Sequence, residues 1–161
     1  MQGLTRYNFE KWAWNPNHNN WRNQLTTDKF ISQEPWTAID LSQRLGNLNT
    51  FTAFEGYFKA PASGDMRFLM SCDDQCAFKM SITDPLDPAT AETLMYRKTW
   101  TSYRNSDLPI KNNPDGDGKR YSKWITVTEG QHYYVEATLN QGGGYINIDV
   151  GMEIKPNVMP S

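Results

Sequence analysis

Short runs in which apolar and polar residues alternate restrict the fold of this 161-residue chain more than any other feature of its sequence. Two such runs lie between residues 64 and 82. Their apolar positions are Met66, Phe68 and Met70 in the first run and Phe78, Met80 and Ile82 in the second. Because successive side chains of a β-strand point to opposite faces, a period of two predicts strands with one buried face.

The clearest alternation lies near the C-terminus, in residues 132–139 and 145–154. The segment between them, residues 140–144, contains three consecutive glycines. Two alternating runs joined by a glycine-rich turn are typical of a β-hairpin, which we therefore predict here. Residues 48–59 are rich in aromatic and β-branched side chains and predict a further strand.

One segment carries the signals of helix ends instead. Asp40 is a favoured N-cap residue, and Gly46 suits the position just after a helix. Residues 40–46 are therefore predicted to form one or two helical turns. Residues 90–96 fit either a helical turn or a strand, because periodicity does not separate short mixed runs.

Taken together, the runs predict an all-β fold: an antiparallel β-sandwich, jelly-roll-like, with long loops and at most short helical turns. The chain length suits one domain, which we place at residues 1–155. Pro156 and Pro160 mark residues 156–161 as a tail or linker.

Charge and composition exclude several classes of function. The formal net charge is −2, with acidic and basic residues interspersed, so no basic face is available for nucleic acid. No apolar run approaches the ~20 residues needed to cross a bilayer, so we expect no membrane insertion. The sequence contains no G-x-S-x-G, P-loop or H-E-x-x-H motif, and its two histidines, His18 and His132, lack metal-ligand spacing. We therefore expect no enzymatic activity.

Two adjacent aspartates, Asp73 and Asp74, stand between Cys72 and Cys76. In an extended strand the two cysteine Cα atoms would be about 13 Å apart, beyond the reach of a disulfide. A Cys72–Cys76 disulfide therefore requires a tight turn and an oxidising compartment, and two reduced thiols are the alternative. Read without other information, the aspartate pair is either an ordinary acidic turn or part of a cation site.

Three motifs follow one another in a fixed order: GYFKAPxxGxMxF from residue 56, SxDD from residue 71 and EGQxYYVE from residue 129. Over about residues 48–154 this arrangement resembles the lectin-like domain named after anthrax protective antigen, which also forms the sugar-binding head of yeast flocculins and epithelial adhesins. The last two predicted strands are similar to copies of this domain in fibrocystin-like surface and ciliary proteins. The resemblance also implies that Gly3 and Leu4 belong to the first strand.

The resemblance implies a binding site for one Ca²⁺. In sugar-binding members, two adjacent aspartates joined by a cis peptide bond hold the ion together with an asparagine that follows the Tyr-Tyr strand. The corresponding side chains here are Asp73, Asp74 and Asn140, with backbone carbonyls near Gly142 and Gly144.

Neighbouring positions are expected to contact the bound ligand: Gln75, Gln141, Gly143 and Tyr145. Gln75 replaces a glycine that usually follows the aspartates in the family. In some lectins of the family an aromatic residue in this loop shapes the sugar pocket. The loop here has three glycines and no aromatic residue, although Tyr145 follows them directly.

We therefore expect a calcium-dependent module that binds a glycan or glycoprotein. It would be extracellular or on the cell surface, within a larger multidomain adhesion protein. The alternative is a metal-free structural or protein-interaction domain in a large extracellular or ciliary protein. Residues 113–118 begin like an EF-hand loop, but Trp124 stands where the loop requires glutamate, so we interpret them as a solvated turn rather than a second Ca²⁺ site.

Overall fold

The computed structural model describes residues 2–10, 21–46, 50–98, 121–142 and 144–156. These residues form ten β-strands and two short 3₁₀ helices, Trp21–Thr26 and Pro88–Thr90. The strands are β1 (Gln2–Glu10), β2 (Phe30–Trp36), β3 (Asp40–Gly46), β4 (Thr50–Lys59), β5 (Gly64–Asp73), β6 (Gln75–Ser81), β7 (Ala91–Arg97), β8 (Ile125–Val127), β9 (His132–Gln141) and β10 (Gly144–Pro156). No helix within these residues has the length and apolar character to span a membrane.

The strands form two antiparallel sheets. The larger sheet has the order β2-β1-β4-β9-β6-β7, and the smaller has the order β3-β10-β5-β8. This arrangement confirms the predicted all-β sandwich, and β1 contains Gly3 and Leu4 as expected. His18, residues 113–118 and the C-terminal tail beyond residue 156 lie outside the described residues.

The core lies between the sheets, where the inward faces of their strands meet. In β5, Met66, Phe68 and Met70 are at most 2% exposed while the residues between them are partly exposed, as the alternation predicts. In β6 both faces are buried, because other parts of the chain cover the outside of the larger sheet. A second, smaller cluster lies around the fully buried Trp21 and consists of Phe9, Trp21, Phe51 and Ala53.

The prediction of helical turns in residues 40–46 is wrong, because these residues form β3. Asp40 pairs with Asp149 of β10, and Ser42 pairs with Asn147. Pairing along one edge of the smaller sheet outweighs the weak helix-end signals, as tertiary contacts commonly do. Of the two alternatives for residues 90–96, the strand is correct: β7 follows the 3₁₀ helix Pro88–Thr90.

The predicted hairpin of residues 132–154 is also wrong. β9 pairs with β4 and β6 in the larger sheet, whereas β10 pairs with β3 and β5 in the smaller one. β5 and β6, which also follow each other closely, likewise belong to different sheets. Both connections therefore carry the chain across the sandwich. Alternation identifies inward-facing residues, but it does not specify which strand is the neighbour.

Candidate metal centre

The two crossings between the sheets meet at one end of the sandwich. Asp73 ends β5 and lies opposite Asn147 of β10, while Gln75 begins β6 and lies opposite Asn140 of β9. The backbone N–H of Asp74 donates to the carbonyl of Asn140 at 3.4 Å. The backbone N–H of Gly142 donates to Oδ2 of Asp74 at 2.7 Å. Strand register and these two hydrogen bonds thus bring together four residues, Asp73, Asp74, Asn140 and Gly142, which we call the aspartate site.

The backbone around the aspartate pair is closed by a covalent link. Cys72 and Cys76 are joined by a disulfide, with Cα atoms 6.3 Å apart, and both residues are fully buried. The disulfide connects the end of β5 in one sheet to the start of β6 in the other. The peptide bond between Asp73 and Asp74 is cis.

The two carboxyl groups lie close enough to influence each other's ionisation. Burial raises the pKa of Asp73 from its ordinary value of 3.8 to about 7, and the hydrogen bond and negative charge of Asp74 add to this effect. Two carboxylates that share a partly dehydrated space favour a state in which one of them keeps its proton. A cation bound between them would favour ionisation of both.

Asn140 lies beside Asp74, whose backbone N–H donates to its carbonyl, and it also carries a neutral side-chain oxygen. The residue is 5% exposed, and its Nδ2 donates to Oε1 of Gln75 at 3.4 Å. Its Oδ1 is buried and has no hydrogen-bond partner within the described chain. Leaving a buried acceptor unpaired costs about 1–3 kcal/mol, so this oxygen is available to a ligand that is not part of the protein.

The donor set at the aspartate site fits Ca²⁺. Calcium takes six to eight hard oxygen ligands, a mixture of carboxylate, amide and backbone carbonyl oxygens and water. The site offers two carboxylates, one amide oxygen and an adjacent loop whose backbone is accessible. No cluster of three or more His, Cys, Asp or Glu side chains suited to a metal occurs in the described ranges, so amide and carbonyl oxygens must complete the coordination.

The remaining predicted site residues occupy different positions. Gln141 is 1% exposed, and its Nε2 donates to the carbonyl of Tyr145 at 2.6 Å, so its side chain holds the loop from within. Gly144 has a φ of +88°, a conformation that favours glycine. Tyr145 is 54% exposed, which leaves its ring open to solvent beside the loop. Gly143 lies outside the described residues.

Sequence reasoning gave no sign that Asn147 lies beside the aspartate site. Its place in the alternation of β10 suggests a solvent-facing side chain, yet it is 3% exposed and lies opposite Asp73. Only the register between β5 and β10 reveals this proximity, and no local pattern in either strand encodes that register.

A second polar region, also missed, lies on the outer face of the larger sheet. Glu55, Glu136 and Lys79 are direct neighbours on β4, β9 and β6. Arg22 of the 3₁₀ helix Trp21–Thr26 lies over them, donating to Glu55 and, at 2.9 Å, to Glu136. Tyr134 donates to Glu55 at 2.9 Å. We call these five residues the outer-face charge cluster.

The acidic side chains of the outer-face charge cluster raise the pKa of both Tyr134 and Arg22. Lys79 Nζ lies 3.4 Å from Glu136 Oε1, and both side chains are buried. Burial raises the pKa of Tyr134, and the negative charges of Glu136 and Glu55 raise it further. Burial acts to lower the pKa of Arg22, but the hydrogen bond to Glu55 and the nearby acidic groups outweigh it and keep the pKa above its ordinary value. A cavity of about 250 Å³ beside the cluster is lined by Arg22, Lys79 and Glu136 together with Pro88, Ala89 and Ala91.

No model of a known protein family and no curated protein matches the sequence. Solved structures nevertheless share its fold. One is the epithelial adhesin 9 A domain from Candida glabrata in complex with Galβ1-4GlcNAc, with a TM-score of 0.63 and 13% identity over 98% of this chain and 84% of that one. Another is the PA14 domain of the MpAFP antifreeze protein, with a TM-score of 0.58 and 10% identity over 98% of this chain and 84% of that one.

A third similar structure is a β-glucosidase from Kluyveromyces marxianus, with a TM-score of 0.61 and 14% identity. The match covers 96% of this chain but 17% of the β-glucosidase, so it concerns one part of a much larger protein. At these identities the three structures establish a shared PA14-type β-sandwich fold.

Proposed function

We propose that this chain is a calcium-dependent carbohydrate-binding module. The observation that carries the proposal is the convergence of two aspartates and the unpartnered amide oxygen of Asn140 where the chain twice crosses between the sheets. The adhesin structures that share the fold were solved with galactose-containing disaccharides, which supports a sugar as the ligand class.

In this proposal the side chains of Asp73, Asp74 and Asn140 hold the ion, and backbone carbonyls near Gly142 and Gly144 complete the share of the protein. When bound, calcium supplies a positive charge with coordination positions that vicinal sugar hydroxyls can occupy. Tyr145, exposed beside the loop, offers an aromatic face against which the apolar side of a sugar ring can pack. A module of this kind belongs in an extracellular or cell-surface multidomain protein, where the disulfide is also stable.

Thermal unfolding with added calcium or with chelator tests the metal. Calcium should raise the melting temperature, because a ligand that binds only the folded state stabilises it. Asp73→Ala should abolish the increase. Asp65→Ala is a matched control: Asp65 lies on the same strand, exposed and at its opposite end, and its variant should keep the full response. Identical melting curves with calcium and with chelator in the native chain would contradict the proposal.

Glycan specificity requires a separate measurement. The calcium-loaded domain should bind galactose-terminated disaccharides on a glycan array, and chelator should remove the signal. The variant Asp73→Ala should be blank on the same array, and Asp65→Ala should match the native chain. Binding that persists in chelator would refute the calcium-dependent part of the proposal.

The second candidate function is a metal-free protein-interaction domain, which an exposed apolar pair favours. Tyr57 is 37% exposed and Leu86 55% exposed, and the hydroxyl of Tyr57 donates to the carbonyl of Leu86 at 3.4 Å. Exposed apolar surface is a common feature of protein contacts. Loss of partner binding in Tyr57→Ser, with no response to calcium in any variant, would favour this candidate.

A further inference from the structure

Asn147 of β10 is buried beside the aspartate site but belongs to none of the motifs that identified the site. We propose that its side-chain oxygen is a further calcium ligand. This inference rests on the proposed function. The ion would then be held by side chains from β5, β9 and β10, that is, from both sheets.

Strand register places Asn147 next to Asp73. The two residues are direct partners in the antiparallel β5–β10 ladder, and directly opposite Cβ atoms in such a ladder lie about 4.5–5.5 Å apart on one face. The next pair along, Ile148 and Cys72, is fully buried in the core between the sheets. Asn147 and Asp73 therefore both point away from that core.

Burial makes the orientation of Asn147 informative. The residue is 3% exposed, and its Oδ1 lacks a hydrogen-bond partner among the residues that the structure describes. Most buried polar atoms in proteins are paired, and each exception calls for a physical reason. Asn140 and Asn147 adjoin the aspartate pair from different sheets: the carbonyl of Asn140 accepts from the N–H of Asp74, and Asn147 is the ladder partner of Asp73. The side-chain oxygen of each is unpaired among the described residues. An ion bound to the aspartates would satisfy both oxygens at once.

Coordination number also leaves room for this ligand. Calcium takes six to eight oxygens, and the proposed set of two aspartates, Asn140, two backbone carbonyls and two sugar hydroxyls leaves one position open at the upper end of that range. On the smaller sheet, β10 runs directly beside the end of β5 that carries Asp73. Asn147 is the β10 residue that register puts directly beside Asp73, so it is the natural donor on that side.

Calorimetric titration of calcium into the native chain and three variants of it tests the assignment. Asn147→Ala should weaken calcium binding at least tenfold, because it removes one ligand. Asn147→Asp should tighten binding, because it adds a negative charge at the same position. Ser71→Ala is the control: Ser71 is fully buried on the same face of β5, two residues before Asp73, opposite Asp149. It should bind calcium as the native chain does.

Terbium luminescence gives a readout that a purely structural role would not change. Lifetimes measured in H₂O and D₂O count the water molecules on the bound ion. Asn147→Ala should gain about one water relative to the native chain, since water takes the vacated position. Asn147→Ser provides a smaller, polar replacement if the alanine variant does not fold, and it should show the same gain.

The outcomes separate this inference from the proposed function. If the native chain binds calcium but Asn147→Ala has unchanged affinity and hydration, the inference is wrong and the function stands. Weaker binding by Asn147→Asp would also overturn it, since it would mean that the amide group donates to Asp73 rather than contacting the ion. If the native chain does not bind calcium at all, both fail.

Discussion

The aspartate site and the outer-face charge cluster both shield carboxylates from water, partly in the first and more fully at Glu136 in the second, but they differ in how the negative charge is balanced. In the outer-face charge cluster, Glu136 contacts Arg22 and Lys79, and Glu55 contacts Arg22, so two acids are matched by two bases. At the aspartate site the charged group that acts on Asp73 is another carboxylate, and neither aspartate forms an ion pair with any described residue. In the first region each carboxylate contacts a base, whereas in the second the described residues supply no cation to either aspartate.

The difference teaches where to look for a ligand in this fold. Buried charge that is matched within the protein stabilises or specifies structure. Removing one partner leaves the other charge buried without compensation. Buried charge that is unmatched requires an ion or a proton from outside, and such positions are typical of functional sites. The four predictions below test this contrast and run from the largest expected effect to the smallest.

Replacing Lys79 with methionine should destabilise the fold by about 3 kcal/mol, in the range measured when one partner of a buried ion pair is removed. The loss arises because Glu136, whose side chain is 4% exposed, keeps its charge with one cation fewer. Urea unfolding at pH 7.5 measures it. Lys123→Met is the control, because Lys123 and Glu92 form an ion pair between exposed side chains, and its loss should be much smaller. Equal losses in the two variants would mean that the outer-face charge cluster is not special.

Replacing Asp73 with asparagine should have the opposite pattern. Without calcium the variant should be at least as stable as the native chain, because the repulsion from Asp74 disappears. At a calcium concentration of 100 Kd the native chain should gain about 2.7 kcal/mol, and the variant should gain nothing. Urea unfolding with calcium and with chelator measures both quantities. A variant that is destabilised in chelator would place Asp73 among the structural acids instead.

The response to pH should test the unmatched charge of the aspartate site by itself. The folded-state pKa of Asp73, about 7, lies above its ordinary value of 3.8, so its protonation stabilises the calcium-free fold. That contribution is fully present below pH 3.8 and is lost as the pH rises through 7. Calcium competes with this proton, so the stabilisation by calcium should grow between pH 5.5 and 8. Melting temperatures across this interval measure it, and in Asp73→Asn the difference between calcium and chelator should stay at zero throughout.

Replacing Tyr145 with alanine should weaken glycan binding by about 1 kcal/mol, a contribution usual for an aromatic contact, while leaving the calcium response intact. The ring is 54% exposed, so its removal should not affect folding. Tyr57→Ala, which removes another exposed ring on the other sheet, is the control and should bind glycan normally. Calorimetry with a galactose-terminated disaccharide compares the two. A loss of calcium binding in Tyr145→Ala would mean that this residue shapes the metal loop rather than the sugar contact.

Much of the fold could be predicted because burial leaves a local trace. Alternation along β5 marks Met66, Phe68 and Met70 as core residues, since each side chain has a fixed face once the strand is assumed. Strand partners leave no such trace. The predicted hairpin of β9 and β10 failed because the glycine-rich connection fits a tight turn and a crossing between sheets equally well. The prediction of helical turns in residues 40–46 failed for a related reason, because pairing with β10 overrides the helix-end signals of Asp40 and Gly46.

The candidate site divides in the same way. The motifs placed Asp73, Asp74 and Asn140 in one site through resemblance, and the structure brings these residues together. The positions of Asn147 and Arg22 could not be predicted from the sequence, because each contacts its partners through long-range register or packing. Arg22 and Tyr134, for example, are 112 positions apart in the chain. Elementary patterns report on neighbours a few residues away, and these contacts lie far beyond that distance.

The crossings at Asp74 and Gly142, together with the Cys72–Cys76 disulfide, join the two layers covalently at one end of the sandwich. An ion bound there, as proposed, would add bonds at a place that the chain already closes. Its main effect would therefore be on the conformation of the connecting loops rather than on the attachment of one layer to the other.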